Sequence, residues 1–230
     1  KSVVRREVVR LVTPGTLTEE SLLEARRHNF LAAYADIRGD GALAWADMST
    51  GAFHVMPLTA LRLSPELARL APSEVVLSDT SEPELFTLIS ESGAAVTPLS
   101  PGAFDSTQGS KRICDVFKIA SLDAFGEFTR AEISAMSALI EYLEITQKGK
   151  LPLLRPPQKE SSGGTMQIDA ATRRNLELTS SLNGGRAGSL LSVIDRGVTA
   201  GGGRLLERRL SSPSRDLGVI HARQAAVTWF

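Results

Sequence analysis

A proline-rich segment, Leu151-Pro152-Leu153-Leu154-Arg155-Pro156-Pro157, separates two stretches of this sequence that differ in character. Proline has no backbone N–H to donate, and its ring clashes with the preceding helical turn, so a helix cannot pass through this segment. Before it, short apolar runs alternate with turns, whereas strand-like patterning is almost absent beyond residue 168. We therefore predict two units whose boundary lies near residue 151.

The first unit begins with three short apolar runs, residues 30–37, 42–48 and 52–56, separated by turns that contain glycine. This spacing predicts an antiparallel meander. Beyond it the pattern alternates in period, with a helix opening at Ser64, a strand at 74–77, a helix at 85–90 behind a Ser81/Glu84 capping box, and a strand at 94–97. We predict an α/β fold in which helices pack on a mixed sheet.

A long amphipathic helix closes the first unit. Thr129 and Glu132 form a capping box at its start, and the helical pattern continues to about Gln147. Its inward-facing residues are predicted to be Ile133, Met136, Ile140, Leu143 and Ile145. A preceding helix should contain Cys114, which we interpret as a small buried hydrophobe.

Short helices dominate the second unit, and a linker precedes the first. The helices are predicted at residues 170–179, 189–195, 199–210 and from 216 onward, with Asp169 and Asp216 as N-caps of the first and last. Residues 1–26 combine a basic, strand-like start at 3–12 with a polar helical stretch from Thr18, which is typical of a connection entering a domain.

Composition limits the environment. One cysteine cannot form an internal disulfide, and no apolar run approaches the ~20 residues of a membrane span, so we expect a cytoplasmic protein. Residues 1–150 carry 15 basic and 20 acidic side chains (net −5), and residues 151–230 carry 11 and 6 (net +5). A basic second unit is compatible with nearby nucleic acid, although such an excess is more often a solvated helical face.

Asp47 and Asp79 are the candidate metal ligands. A meander followed by alternating helices and strands is similar to the ribonuclease-H-like architecture, in which strand-borne carboxylates hold two metal ions. Asp105 or Asp123 could supply a further ligand. The alternative for Asp47 is structural, because it precedes Ser49-Thr50-Gly51, where an aspartate commonly accepts hydrogen bonds from turn N–H groups. We favour that interpretation.

Other catalytic or cofactor motifs are absent from the sequence. The glycine-rich stretches 183–189 and 199–204 lack the lysine of a phosphate-binding loop, and no strand leads into either. We interpret the first as a turn and the second as a place where helices approach closely. His28, His54 and His221 lie far apart, without a second ligand at zinc spacing.

Arginines are concentrated in the second unit. Arg173 and Arg174 share one predicted helix, and Arg204 and Arg208 occupy one face of another. They could lie near DNA phosphates, but no aromatic residues are interleaved for base stacking, and Glu177 and Glu207 stand close by in sequence. Salt bridges between helices are therefore the default prediction, and an independent DNA-binding module is the alternative.

Three stretches carry a resemblance to a known family. They are Val8-Val9-Arg10-Leu11-Val12-Thr13-Pro14-Gly15-Thr16, Asp47-Met48-Ser49-Thr50-Gly51-Ala52-Phe53, and Met166-Gln167-Ile168-Asp169-Ala170-Ala171-Thr172-Arg173-Arg174-Asn175-Leu176-Glu177-Leu178 with its continuation to Leu206. In order, they resemble the exit from the mismatch-reading domain, the early hairpin of the connector domain and the opening of the helical core domain of the MutS family of bacterial mismatch repair proteins. The resemblance covers essentially the whole chain.

The resemblance implies a division of the chain and a role. Residues 1–26 would be the exit strand and linker, 27–150 a ribonuclease-H-like connector without nuclease activity, and 151–230 the start of the helical core. Together with an end at Trp229-Phe230 in mid-pattern, it leads us to expect a segment of a larger protein, which would bind mismatched DNA as a homodimer, use ATP and Mg²⁺, and recruit MutL. Lys111 and Arg112, which we expect to be exposed near Asp115, are the candidates for the surface that docks MutL.

Overall fold

Two tight turns produce the predicted meander. Arg38 and Gly39 both have positive φ and form a two-residue hairpin loop, the geometry whose twist matches that of the flanking strands. The second turn runs from Asp47 to Gly51, where Gly51 N–H donates to the carbonyl of Asp47 at 2.8 Å. The computed structural model describes residues 8–17, 26–149, 151–161 and 163–229.

One mixed sheet forms the centre of the first unit. Its strands are β1 (Phe30–Ile37), β2 (Asp40–Asp47), β3 (Phe53–Pro57), β4 (Glu74–Ser78), β5 (Ala95–Leu99) and β6 (Gln158–Lys159). Their order across the sheet is β5-β4-β1-β2-β3-β6. The pairs β1–β2 and β2–β3 are antiparallel, whereas β4 is parallel to β1, β5 to β4 and β6 to β3. The predicted mixed-sheet fold class is confirmed.

Helices cover the sheet and then make up the second unit. They are α1 (Leu63–Leu70), α2 (Pro83–Glu91), α3 (Ser106–Phe117), α4 (Arg130–Thr146), α5 (Ala170–Asn175), α6 (Leu190–Ile194), α7 (Ala200–Ser211) and α8 (Leu217–Trp229). The predicted N-caps are confirmed, since Asp169 accepts from Thr172 N–H and Asp216 accepts from Val219 N–H. Within the described residues, no helix is both long and apolar enough to cross a membrane.

The sheet separates two apolar cores. Helices α3 and α4 pack on one face, against alternate residues of β1 and β2 that are mostly alanine, and α1 and α2 pack on the other. Small side chains on that face let α4 lie close to the sheet, so that Ala135, Ala138 and Leu139 have no exposed surface. The Thr129–Glu132 capping box at its N-terminus is confirmed.

Several local predictions are corrected. Ile145 is 45% exposed rather than inward, because it lies on the outer side of the last turn of α4, whose inner side carries the buried Leu143 and Thr146. Ser81 does not cap α2, since the helix starts at Pro83 with Glu82 as N-cap and no side-chain cap bond. Of the strand predicted at residues 3–12, residues 8–12 form no strand, and residues 3–7 lie outside the described residues. The helical stretch predicted from Thr18 lies outside the described residues except at its end.

The proline-rich segment is attached to the sheet rather than free of it. Arg155 N–H donates to the carbonyl of Gly51 at 2.8 Å, and β6 then pairs with β3. Gly51 has φ +71°, and a Cβ there would lie 2.1 Å from the carbonyl oxygen of Leu153, so only glycine allows this approach. The chain therefore enters the second unit from a fixed position at the edge of the sheet.

Candidate functional site

The first contact between the two units centres on a buried carboxylate after α6. Arg26 donates from Nη1 to Asp195 Oδ2 at 3.0 Å and from Nη2 to the carbonyl of Gly197 at 2.8 Å. Arg186 binds the same Asp195 oxygen. A hydrogen bond from Gly197 N–H and the two guanidinium charges hold the pKa of Asp195 below its ordinary value. Asp195 thus joins the linker into the first unit to the helices of the second.

A histidine provides the second contact. His28 lies 2.6 Å through Nδ1 from Asp47 Oδ2, and 3.3 Å through Nε2 from the carbonyl oxygen of Arg204 on α7. Both partners are acceptors, so the two bonds coexist when both ring nitrogens carry a proton. The ring also stacks on Phe30, with centroids 4.9 Å apart. His28 therefore connects the end of β2 to α7.

Asp47 organises the turn after β2. Oδ1 accepts from Ser49 N–H at 2.9 Å and from Ser49 Oγ at 2.7 Å, and Oδ2 accepts from Thr50 Oγ1 at 2.8 Å. Burial alone would raise the pKa of Asp47, but the bonds from His28 and Ser49 outweigh it and hold the pKa far below its ordinary value. The turn interpretation made from sequence agrees with this geometry.

The alternative nuclease site is not assembled. Asp47 lies opposite Phe30 at the start of β1, while Asp79 follows β4, which runs parallel to β1 with Glu74 opposite Leu31. The register places Asp79 about six residues farther along, or roughly 20 Å at 3.3 Å per residue. Two metal ions ~4 Å apart cannot be bridged from opposite ends of a sheet. The hypothesis of a nuclease using Asp47 and Asp79 is therefore wrong.

The further candidate ligands serve local structure. Asp105 caps α3 by accepting from Gln108 N–H at 2.7 Å, and Asp123 accepts from Ser121 Oγ at 2.8 Å. In the described parts of the chain, no group of three or more histidine, cysteine, aspartate or glutamate residues could hold a metal ion. Cys114 packs against the core from α3, as predicted.

A third contact between the units is made by Arg69 on α1. Its guanidinium binds Glu66 at 2.5 Å and Glu160 at 3.4 Å, and donates to Ser212 Oγ at 3.2 Å, immediately after α7. The same group lies over the Trp45 ring, 5.4 Å from its centroid. Arg69 thus links α1, the residues after β6 and the end of α7 around one charge.

Glu74 forms a buried junction that the sequence did not reveal. Oε2 accepts from Thr13 Oγ1 at 2.6 Å and from Gly15 N–H at 2.9 Å, and Oε1 accepts from Thr97 Oγ1 and Tyr142 OH, each at 2.5 Å. Burial and the bond to Glu74 raise the pKa of Tyr142 to about 12. Glu74 thereby links the entering segment to β4, β5 and α4. These bonds hold that segment in place before the chain reaches Arg26, the first described residue that contacts the helical unit. An acidic residue opening an apolar strand was the available signal.

The expected partner-docking residues differ in environment. Lys111 is exposed on α3. Arg112 is not free, since it donates to Ser137 Oγ at 2.6 Å and pairs with Glu141 at 2.7 Å and Glu144 at 3.6 Å. The expectation of exposure is thus wrong for Arg112, which holds α3 against α4.

The arginines of the second unit share one location. Arg173, Arg174, Arg204 and Arg208 all line a cleft of about 780 Å³ between α5 and α7 on one side and α1 with the β2–β3 face on the other. Glu177 accepts from Leu182 N–H at 2.7 Å, so that carboxylate is used within its own loop. The predicted salt bridges between helices stay a prediction.

The second glycine-rich stretch opens a helix. Thr199 Oγ1 caps Gly202 N–H at 3.1 Å, so the second stretch forms the first turn of α7. A Cβ on Gly203 would lie at an ordinary contact distance of 3.4 Å from side-chain atoms of Arg26 and Asp195, and one on Gly201 would meet nothing within 4 Å, so the close approach of helices at this stretch stays a prediction. Without a lysine for the phosphates, neither stretch fits ATP with Mg²⁺.

Comparison with protein-family models matches two parts of the chain. Residues 29–155 match the model described as MutS domain II. Residues 171–230 match the model described as MutS domain III.

Curated relatives cover essentially the whole chain. Proteins called "DNA mismatch repair protein MutS" are 66% identical over 229 residues in Cereibacter sphaeroides, 63% identical over 229 residues in Roseobacter denitrificans and 66% identical over 230 residues in Ruegeria pomeroyi. These alignments include 99–100% of this chain and 26% of each relative, so the chain spans about a quarter of the length of the relatives it matches.

Proposed function

This chain belongs to the MutS family of DNA mismatch repair proteins, and from that membership we propose that it is a non-catalytic connecting segment of a mismatch recognition protein. Residues 1–26 would be the exit from a mismatch-reading domain, 27–150 the connector and 151–230 the start of the core. The segment would couple mismatch reading and a DNA clamp to a distant ATPase.

The observation that carries this proposal is the set of side-chain contacts between the two units. Arg26, at the end of the entering linker, contacts Asp195 of the helical unit, and His28 and Arg69 of the sheet unit contact the Arg204 carbonyl and Ser212. A domain arrangement can carry a signal only through contacts that differ between its states. Three polar contacts between the units are suited to that role, because they can break and re-form without disturbing the apolar core of either unit.

The larger protein would act in the cytoplasm as a homodimer on mismatched duplex DNA. ATP and Mg²⁺ would bind in a domain outside this chain, and their binding and hydrolysis would shift one shared conformational equilibrium. The names of the relatives support the repair role, and the remaining parts of the proposal follow from the family resemblance.

The coupling role can be tested in the protein that contains this chain together with its ATPase. We expect the double variant Arg26→Gln/Arg69→Gln to retain mismatch binding and basal ATP hydrolysis while losing most of the stimulation of hydrolysis by mismatched DNA. Arg130→Gln, an exposed change at the start of α4, is the matched control. Undiminished stimulation in the double variant would refute the proposal.

We also propose that the α3 surface around Lys111 and Arg112 takes part in MutL docking. Lys111 is the accessible charge, and Arg112 would fix the surface by its pairs with α4. Lys111→Glu should weaken MutL binding in a pull-down or by light scattering, while Arg38→Glu in the β1–β2 turn should not. Equal MutL binding by both variants would remove this surface.

A further inference from the structure

The cleft between the two units has walls from both of them. Arg69 of α1 and His54 of β3 stand on the sheet side, and Arg173 of α5 and Arg208 of α7 stand on the helical side. Its volume of about 780 Å³ lies in the range of small-molecule sites, which are typically ~300–1,000 Å³.

The side chains around the cleft carry an excess of positive charge. Eight arginines line it against three carboxylates. All three carboxylates are already engaged, since Asp47 binds the Ser49 turn, Glu160 pairs with Arg69 and Glu207 makes an interaction of its own. Arg155, Arg174 and Arg208 have no carboxylate within ion-pair distance among the described residues. Such a concentration of unpaired guanidinium groups favours an anion in the space between them.

Arg173 is the most informative of these residues. It is half-buried, its Nε donates to the carbonyl of Ile168 at 3.1 Å, and the described residues offer it no carboxylate at ion-pair distance. Burial lowers its pKa and the nearby charge of Arg69 lowers it further, although Glu66 and Asp169 oppose this. A half-buried cation facing another cation is costly unless a counter-charge is supplied.

His54, on the sheet side of the cleft, is affected by the same excess of positive charge. Its buried Nδ1 has no hydrogen-bond partner and lies 3.5 Å from Glu160 Oε1. Burial lowers the pKa of His54 most, and the charges of Arg208 and Arg69 lower it as well, while Glu160 and Asp47 act in the opposite direction. The guanidinium groups of Arg69 on α1 and Arg208 on α7 therefore lie close enough to His54 on β3 to disfavour its protonation.

We propose that this cleft binds a small polyvalent phosphate anion, held by Arg173 and Arg208 of the helical unit and by Arg69 and His54 of the sheet unit. The planar guanidinium fork matches phosphate oxygens with two parallel hydrogen bonds, and several forks around one space favour an anion of high charge density. A cleft of about 780 Å³ is too small to hold a DNA duplex, whose major groove alone is ~12 Å wide. The bound anion would tie the two units together, because its ligands come from both.

The test is titration of inorganic pyrophosphate into the chain at constant ionic strength, followed by calorimetry. We expect saturable binding at one site that weakens about tenfold in Arg173→Gln and in Arg208→Gln, with no change in Arg130→Gln. Arg208 is exposed, so its variant should fold normally even if Arg173→Gln does not. Equal affinity in Arg208→Gln and Arg130→Gln, or heat that does not saturate, would overturn the proposal.

Two further arms identify the ligand and its position. Citrate, which carries its charge on carboxylates, should bind more weakly, and equal affinity for citrate would overturn the phosphate assignment. Duplex DNA that competes with pyrophosphate and binds more tightly would likewise overturn it in favour of nucleic acid. By NMR, pyrophosphate should raise the pKa of His54 and leave the ring resonances of His221, on α8, in place, whereas an unmoved pKa of His54 would show that the anion binds elsewhere.

Discussion

Replacing Glu74 removes the one acceptor on which four donors converge. The side chain is 1% exposed, and its partners come from the entering segment, β5 and α4. A net contribution of about 1 kcal/mol per hydrogen bond gives a loss of about 4 kcal/mol for Glu74→Ala. The loss for Glu74→Gln should be about 2 kcal/mol, because the amide oxygen can still serve two donors and the buried charge is gone.

The Gln variant also has a defined geometry. Gly15 N–H cannot rotate, so the amide oxygen should face Gly15 and Thr13, leaving the NH₂ group toward Thr97 and Tyr142, whose hydroxyls can turn and accept. Tyr142→Phe should therefore cost more in the original chain than in the Glu74→Gln background. The coupling free energy from this double-mutant cycle should be at least about 1 kcal/mol.

Urea denaturation measures both quantities, and amide hydrogen exchange at Gly15 gives a local measure. We expect exchange at Gly15 to accelerate at least about tenfold in Glu74→Ala, equivalent to 1.4 kcal/mol of lost protection. Glu84→Ala, an exposed change on α2, should alter neither measurement. A loss below about 1 kcal/mol in Glu74→Ala, or a coupling near zero, would refute the assignment of Glu74 as a junction.

Three other changes test the turn after β2, the wall of the cleft and the attachment of the proline-rich segment to the sheet. Asp47→Asn should reduce the free energy of unfolding at pH 7 and should flatten the fall of that free energy below about pH 4. Folding lowers the pKa of Asp47, so its carboxylate stabilises the fold above the unfolded pKa and ceases to do so as pH falls. Urea midpoints measured against pH check this. His54→Gln should flatten the loss of stability below about pH 6.5, since burial lowers the pKa of His54 and the unfolded chain takes up the proton first; an unchanged pH profile would contradict this. Gly51→Ala should cost at least ~2 kcal/mol, more than Gly39→Ala, because the φ of Gly39 (+90°) is also positive but nothing lies within 4 Å of its would-be Cβ; equal losses would show that the contact with Leu153 does not matter.

Local patterns predicted the elements that depend on neighbours in sequence. The meander follows from two glycine turns, and the α4 capping box follows from Thr129 and Glu132, so both were visible in the sequence. Glu74 was missed because its donors lie up to 68 residues away, and no spacing rule connects them. The strand β6 was missed because two residues, Gln158 and Lys159, carry no periodicity.

The predicted partners of charged residues failed for a related reason. Arg112 was interpreted as a surface charge from its neighbours in sequence, but α4 brings Glu141 and Glu144 beside it. The contacts between the two units were missed for the same reason, since the sequence does not reveal that Arg26 binds Asp195, 169 residues later. Tertiary contacts, which set the environment of long charged side chains, override local exposure rules.

Under the proposed coupling function, the strength of the three side-chain contacts between the units limits the free-energy change that can pass between them. Each of the three contacts made by Arg26, His28 and Arg69 contributes on the order of 1 kcal/mol, because its groups are partly hydrated and side-chain entropy opposes them. Their sum of ~3 kcal/mol matches the 1–3 kcal/mol typical of coupling between ligand sites. A fully apolar interface of the same extent would be harder to separate. The four hydrogen bonds of Glu74 lie within the first unit and its entry segment, so they would remain when the contacts between the units break. Under the proposed coupling function, the contacts made by Arg26, His28 and Arg69 would be the part of the chain that a ligand bound elsewhere switches, and the junction at Glu74 would be the part that stays fixed.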